Sequence, residues 1–137
     1  MTQNSFHGES KNNASFNPPP SQFNLSLIQK LVKIYKLWQD YLYNFPKTSR
    51  YTLGAKIDNL FIETTENIIK AGYADKAEKI IFQKRASAKL DLLKFFLQVA
   101  WEIDSLENKK YITLSEKLNE VGRMLGGWIK STKQLDS

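Results

Sequence analysis

Cysteine is absent and histidine occurs once, at His7. The first absence removes disulfides and thiolate metal sites. Together the two leave no ordinary nucleophile and base pair, and no Glu-x-x-His pair with which a helical core could hold two irons. No apolar run approaches the roughly 20 residues that a membrane span needs, and the N-terminus lacks the basic-then-apolar order of a signal peptide. A cytoplasmic protein without a membrane partner is the expectation. No glycine-rich loop follows a strand-like segment, so no phosphate cradle of the nucleotide-binding kind is expected. Glu63 and Glu66 lie three apart with Lys70 nearby, the spacing of a solvated helix face rather than of paired acid-base carboxylates. The chain therefore reads as a non-enzyme with no cofactor and no metal, whose role is binding, assembly or scaffolding.

What is present begins with charge. Twenty Lys and Arg against 14 Asp and Glu give a formal charge of +6 on 137 residues, a balance that suits a polyanionic partner such as RNA or DNA. A chain of this length makes one domain with one core. Residues 1 to 24 are rich in Asn, Ser and Pro and have no periodicity, which predicts a disordered tail in which Pro18, Pro19 and Pro20 act as a stiff spacer. From Leu25 the spacing becomes helical. A first helix carries Ile28, Leu31, Tyr35, Trp38 and Leu42 inward and ends at the corner Asn44-Phe45-Pro46-Lys47, where Thr48 or Ser49 is available to cap the next. A second helix carries Leu53, Ile57, Leu60, Phe61, Thr64 and Ile68 and stops at Ala71-Gly72. Asp75 caps a third, whose inward stripe is Phe82, Ala86, Leu90, Leu93, Leu97, Ala100 and Ile103, and which ends around Leu106 to Asn108. A fourth, starting near Thr113 or Ser115, shows Leu114, Leu118, Val121, Leu125 and Trp128 at nearly heptad spacing. Four amphipathic helices with short connections specify an all-α, up-down-up-down four-helix bundle over residues 25 to 133, followed by a short tail at 134 to 137.

The stretch VGRMLGGWIK, residues 121 to 130, places Gly122, Gly126 and Gly127 inside the fourth helix, where each costs roughly 1 kcal/mol relative to alanine. The apolar phase carries through to Trp128, so the helix runs on. Gly122 and Gly126 share a face, and a close approach by another helix, of the same bundle or of a neighbouring subunit, explains them better than a ligand does. Trp128 reads as core.

Three blocks carry a resemblance: Phe45-Pro46-Lys47-Thr48-Ser49-Arg50-Tyr51-Thr52-Leu53-Gly54, Leu90-Asp91-Leu92-Leu93-Lys94-Phe95-Phe96-Leu97, and Gly122-Arg123-Met124-Leu125-Gly126-Gly127-Trp128-Ile129. In this order they resemble the four-helix bundle family that includes the accessory variability determinant (Avd) of diversity-generating retroelements and the proteins encoded by intervening sequences in bacterial 23S ribosomal RNA genes. The resemblance covers residues 25 to 133. It implies a basic, homopentameric ring of four-helix protomers. For the retroelement branch it also implies a non-catalytic partner of a reverse transcriptase that binds structured RNA and supports mutagenic copying into cDNA. The ribosomal-intervening-sequence branch shares the fold as a ring-forming structural or interaction protein, without an assigned nucleic-acid role. The family tends to carry basic residues at the positions of Lys94 and Gln98; here the second is neutral. The residues expected at a nucleic-acid or partner surface are Lys47, Arg50, Lys94 and Arg123, with Lys84, Arg85 and Lys89 adding longer-range attraction.

Overall fold

A computed structural model describes residues 22 to 135, with side chains from Asn24 to Gln134. Nearly all of the expected N-terminal tail, with His7 and the proline run, lies outside the described residues, as do residues 136 and 137. The described part is helical, without strands: α1 (Gln22–Tyr43), α2 (Lys47–Arg50), α3 (Leu53–Tyr73), α4 (Lys76–Glu102) and α5 (Asn108–Leu135). The four long helices alternate in direction. Each packs against its neighbours in the chain, and α1 against α5 closes the square.

The core is the set of apolar residues that helical periodicity places inward. From α3, Ile57, Leu60, Phe61 and Ile68 are at most 1% exposed; from α5, Leu114, Leu118, Val121, Leu125 and Trp128 are at most 4% exposed. In α4, Ala86, Leu90, Leu93, Leu97 and Ala100 line the seam, while Phe82 is only half-buried and its neighbour Gln83 points inward to donate to Thr132 Oγ1 at 2.9 Å. In α1 the fully buried residues are Leu27, Leu31, Ile34 and Trp38, so the inward stripe is turned from the expected one. Ile28, Tyr35 and Leu42 border the core instead. The cause is that α1 lies between α3 and α5, and its buried arc faces the gap between them.

Differences from the expectation gather at the helix ends. The corner after α1 holds a single-turn helix, α2, entered through Pro46 at φ −57° and without a side-chain cap. Neither Thr48 nor Ser49 caps. Ser49 is buried, and its Oγ lies 2.8 Å from Ser105 Oγ in the α4–α5 turn, tying the two connections at that end of the bundle. Helix α3 runs past Gly72 to Tyr73, and Gly72 has no left-handed backbone. What Gly72 provides is space: a Cβ there would stand 2.6 Å from the amide of Asn24, which donates to Ile68 O. Helix α4 ends at Glu102, earlier than expected, which leaves Ile103 55% exposed. Asp104 takes the left-handed conformation (φ 64°), and the N–H groups of Asp104 and Ser105 return to Trp101 O and Ala100 O at 3.1 and 2.8 Å. This is the Schellman closure usually made with glycine, and Leu106 just beyond it is buried. Helix α5 then starts at Asn108, a turn before Thr113, whose hydroxyl bonds back to Lys109 O.

Candidate nucleic-acid interface

The cations expected at a functional surface separate into three places. Arg50 is a structural corner. Its guanidinium donates to Tyr43 O at 3.1 Å and to Phe45 O at 2.9 Å, satisfying carbonyls freed where α1 stops. Lys47, exposed on the same short helix, makes no ion pair among the described residues. Lys89 faces α3, 3.5 Å from Glu63 Oε1. Arg85 lies over the Phe82 ring at 5.5 Å, with Lys70 at 6.0 Å from the same ring. Of that cluster Lys84 is exposed and makes no ion pair among the described residues. Nearer the start of α4, Lys79 donates to Ala71 O at 2.8 Å and sits over Trp128. Burial pushes its amine below the usual 10.5.

Lys94 and Arg123 are brought together. They line one hollow of about 320 Å³ between α4 and α5, with Ser87, Asp91 and Asn119. Gly122 forms part of its wall, where a Cβ would meet Lys94 Nζ at 3.1 Å and Leu90 at 3.6 Å. Gly122 thus leaves room for side chains of α4, the Lys94 side chain above all. For Gly126 the same-bundle reading is corrected, and Gly127 is equally bare. Nothing lies within 4 Å of a Cβ built on either, because both face away from the bundle. Trp128, 4% exposed, is core as expected.

Periodicity did not single out two features. A second hollow of about 310 Å³ adjoins the first and shares Asp91, Lys94 and Asn119 with it, continuing past Phe95, Gln98 and Tyr111. On the opposite side, α1 and α3 enclose an apolar groove of about 560 Å³ whose lining includes Val32, Tyr35, Phe61, Ile62 and Ile69. The signal for both was available: Phe95, Val32, Ile62 and Ile69 are apolar residues lying off the inward stripes, 41 to 56% exposed. Glu63 is engaged with Lys89, and no group of three or more His, Cys, Asp or Glu among the described residues is placed to hold a metal. No helix among them is long and apolar enough to cross a membrane.

Comparison with solved structures finds the same architecture in a protein of unknown function from the S23 ribosomal protein family of Bacteroides thetaiotaomicron. It superposes with a TM-score of 0.71 at 14% identity, over 80% of this chain and 99% of that one. Likeness at that identity speaks for the fold. A comparison with curated proteins found no match. The family model described as bAvd-like matches residues 25–132, which is the whole bundle, and on that match the chain belongs to the bAvd-like family.

Proposed function

We propose that this chain is a non-catalytic accessory protein of a diversity-generating retroelement. It assembles as a homopentameric ring and binds the reverse transcriptase and template RNA or cDNA through a basic surface, with the polymerase supplying the chemistry. The observation that carries this reading is Lys94 and Arg123, neither in an ion pair among the described residues, on one groove of a bAvd-like chain with charge +6. Two such cations lining one hollow form a phosphate site at low desolvation cost. Bundle helices offer charge and shape without a base-reading motif, so affinity falls steeply with salt and varies little with sequence.

Ring assembly draws support from the α1/α3 side. Val32, Ile62 and Ile69 leave an apolar groove wet in the isolated protomer, and a neighbouring subunit would bury it. Gly126 and Gly127 leave a bare strip of α5 where a neighbour's helix could approach closely. The bundle reaches beyond the expected bounds at both ends: α1 begins at Gln22 and α5 runs to Leu135, and Asn24, expected in the tail, is buried and donates to Ile68 O.

The test is RNA binding and native mass, measured for the wild type alone and with a diversity-generating-retroelement reverse transcriptase. Protein that ignores RNA at low salt in both settings defeats the reading. The remaining alternative is a ring-forming structural or interaction protein of the ribosomal-intervening-sequence type with no nucleic-acid role. A reverse transcriptase gene with a template and variable repeat nearby supports the first reading; a location within a ribosomal RNA gene supports the second.

A further inference from the structure

The α4/α5 groove changes character along its length. Around Lys94 and Arg123 it is charged and polar. Toward the α4–α5 turn it is lined by Phe95, 56% exposed, and by Tyr111. Tyr111 lies nearly parallel to Trp101, centroids 5.0 Å apart and planes within 9°, and Trp101 is itself 37% exposed. Phe95 is held edge-on by Phe96 at 5.3 Å. The rings are thus fixed in place and still reach water. Between the cations and the rings stand Ser115 and Asn119, whose side chains make no hydrogen bond among the described residues.

We propose that this groove takes a short single-stranded stretch of polynucleotide, its bases stacked on Phe95 and the Trp101/Tyr111 pair and its phosphates held by Lys94 and Arg123. The inference rests on the nucleic-acid reading above and narrows its ligand. In a duplex the base faces are occupied by one another, so aromatic platforms have nothing to stack on. In a single strand every base has a free face, and a groove that joins cations to rings suits both halves of each nucleotide. Ser115 and Asn119 supply hydrogen-bonding groups for base edges. Asp91, on the shared wall, disfavours phosphate there and accepts from exocyclic amines, which keeps the backbone on the Lys94 and Arg123 side. A protein partner fits less well, because the middle of such an interface would trap two unpaired cations.

The experiment uses the full chain with labelled oligo(U), oligo(dT) and an RNA duplex of equal length, followed by fluorescence anisotropy at low salt. These single strands are chosen because they do not fold on themselves. The single strands bind about tenfold more tightly than the duplex, and Phe95→Ala or Trp101→Ala each removes about that factor for single strands alone. Native mass and duplex binding stay unchanged. Trp38 and Trp128 are buried at 0 and 4% exposure, so quenching of tryptophan emission by oligo(U) reports on Trp101. Trp101→Phe keeps the affinity and loses the quenching. Equal affinity for strand and duplex with a silent Phe95→Ala overturns the stacking groove while the broader nucleic-acid reading stands. Failure of every polynucleotide to bind overturns both. A fall in native mass with Phe95→Ala assigns the rings to a subunit contact and overturns the proposal.

Discussion

The groove between α1 and α3 and the groove between α4 and α5 are each formed by two antiparallel helices of one bundle, yet they show different chemistry to water. The first is lined by Val32, Tyr35, Phe61, Ile62 and Ile69, with Glu66 and Lys70 also on its wall. The second holds Lys94 and Arg123 among amide and hydroxyl side chains and one carboxylate, Asp91, with aromatic rings at one end. Burying the first releases water from apolar surface and leaves no cation stranded, which suits a copy of the same protein. Burying the second against anything but an anion strands two cations. A bundle that needs one stripe per helix for its own core thus leaves two outer faces of different chemistry.

The contrast can be broken by swapping charge and apolarity. Val32→Glu with Ile62→Glu should abolish ring assembly with little loss of protomer stability, since both side chains are 43 to 49% exposed. Native mass spectrometry and thermal melting would check this, and an unchanged ring would move the subunit contact elsewhere. Lys94→Glu with Arg123→Glu should leave the ring intact and weaken RNA binding at least about tenfold, with the salt dependence shallower by roughly one to two ion equivalents. Reversing Lys84, Arg85 and Lys89 should do less, because Lys89 is already spent on Glu63 and Arg85 on Phe82.

Glycines sharpen the comparison inside the protomer. Gly72→Ala pushes a methyl into the buried Asn24 amide, which cannot withdraw without losing its bond to Ile68 O. A loss of about 1 to 3 kcal/mol is expected in denaturant unfolding. Gly126→Ala meets open space and should raise protomer stability by up to about 1 kcal/mol. Gly126→Leu is the informative partner: reduced native mass with a stable protomer would show that a neighbouring subunit covers the strip. The smallest effect concerns Tyr35 on the α1/α3 groove, whose phenol is held above its usual 10.0 by burial and by Asp58. The native state therefore keeps this proton where the unfolded chain gives it up. Stability from this group is present below pH 10 and is lost as pH rises beyond it, so Tyr35→Phe should flatten the alkaline fall in melting temperature.

The interior of the bundle was legible in the sequence, and the ends and outer faces were less so. The inward residues of α5, and those of α4 from Ala86 to Ala100, follow periodicity without exception, although α4 also carries Ile81, Leu92 and Phe95 exposed off that stripe. Asp75 caps α4 as its side chain dictates, accepting from Glu78 N at 2.9 Å. Asp104 was opaque, since an aspartate in the left-handed region performs a closure for which glycine is the usual signal. Gly72 and Gly126 were the hardest to read. The first, taken as a helix stop, is a packing contact, and the second, read as a close approach by a helix of this bundle or of a neighbouring subunit, is bare within the protomer. Neither can be separated from the other without knowing what faces it. Among the cations, the family resemblance grouped Lys47, Arg50, Lys94 and Arg123, and sequence proximity grouped Lys84, Arg85 and Lys89. The fold turned Arg50 and Lys89 to structural partners and kept Lys94 and Arg123 on one hollow between two helices.

The square of helices has one side unlike the other three. Helices α1 and α3, α3 and α4, and α4 and α5 meet as neighbours in the chain, whereas α1 and α5 meet only as the two ends of the bundle. Their contacts join Lys30 to Glu120, 3.2 Å apart, and Tyr41 to Lys110. Closing so long a loop carries an entropy cost that the three hairpins escape. The α1/α5 seam is therefore the side that zips last in folding and opens first in local unfolding. Hydrogen exchange should find its amides released before those of the α3/α4 pair. The protein is in this sense a folded strip whose final joint is the α1/α5 edge, and a ligand or subunit that spans that edge would hold the whole barrel shut.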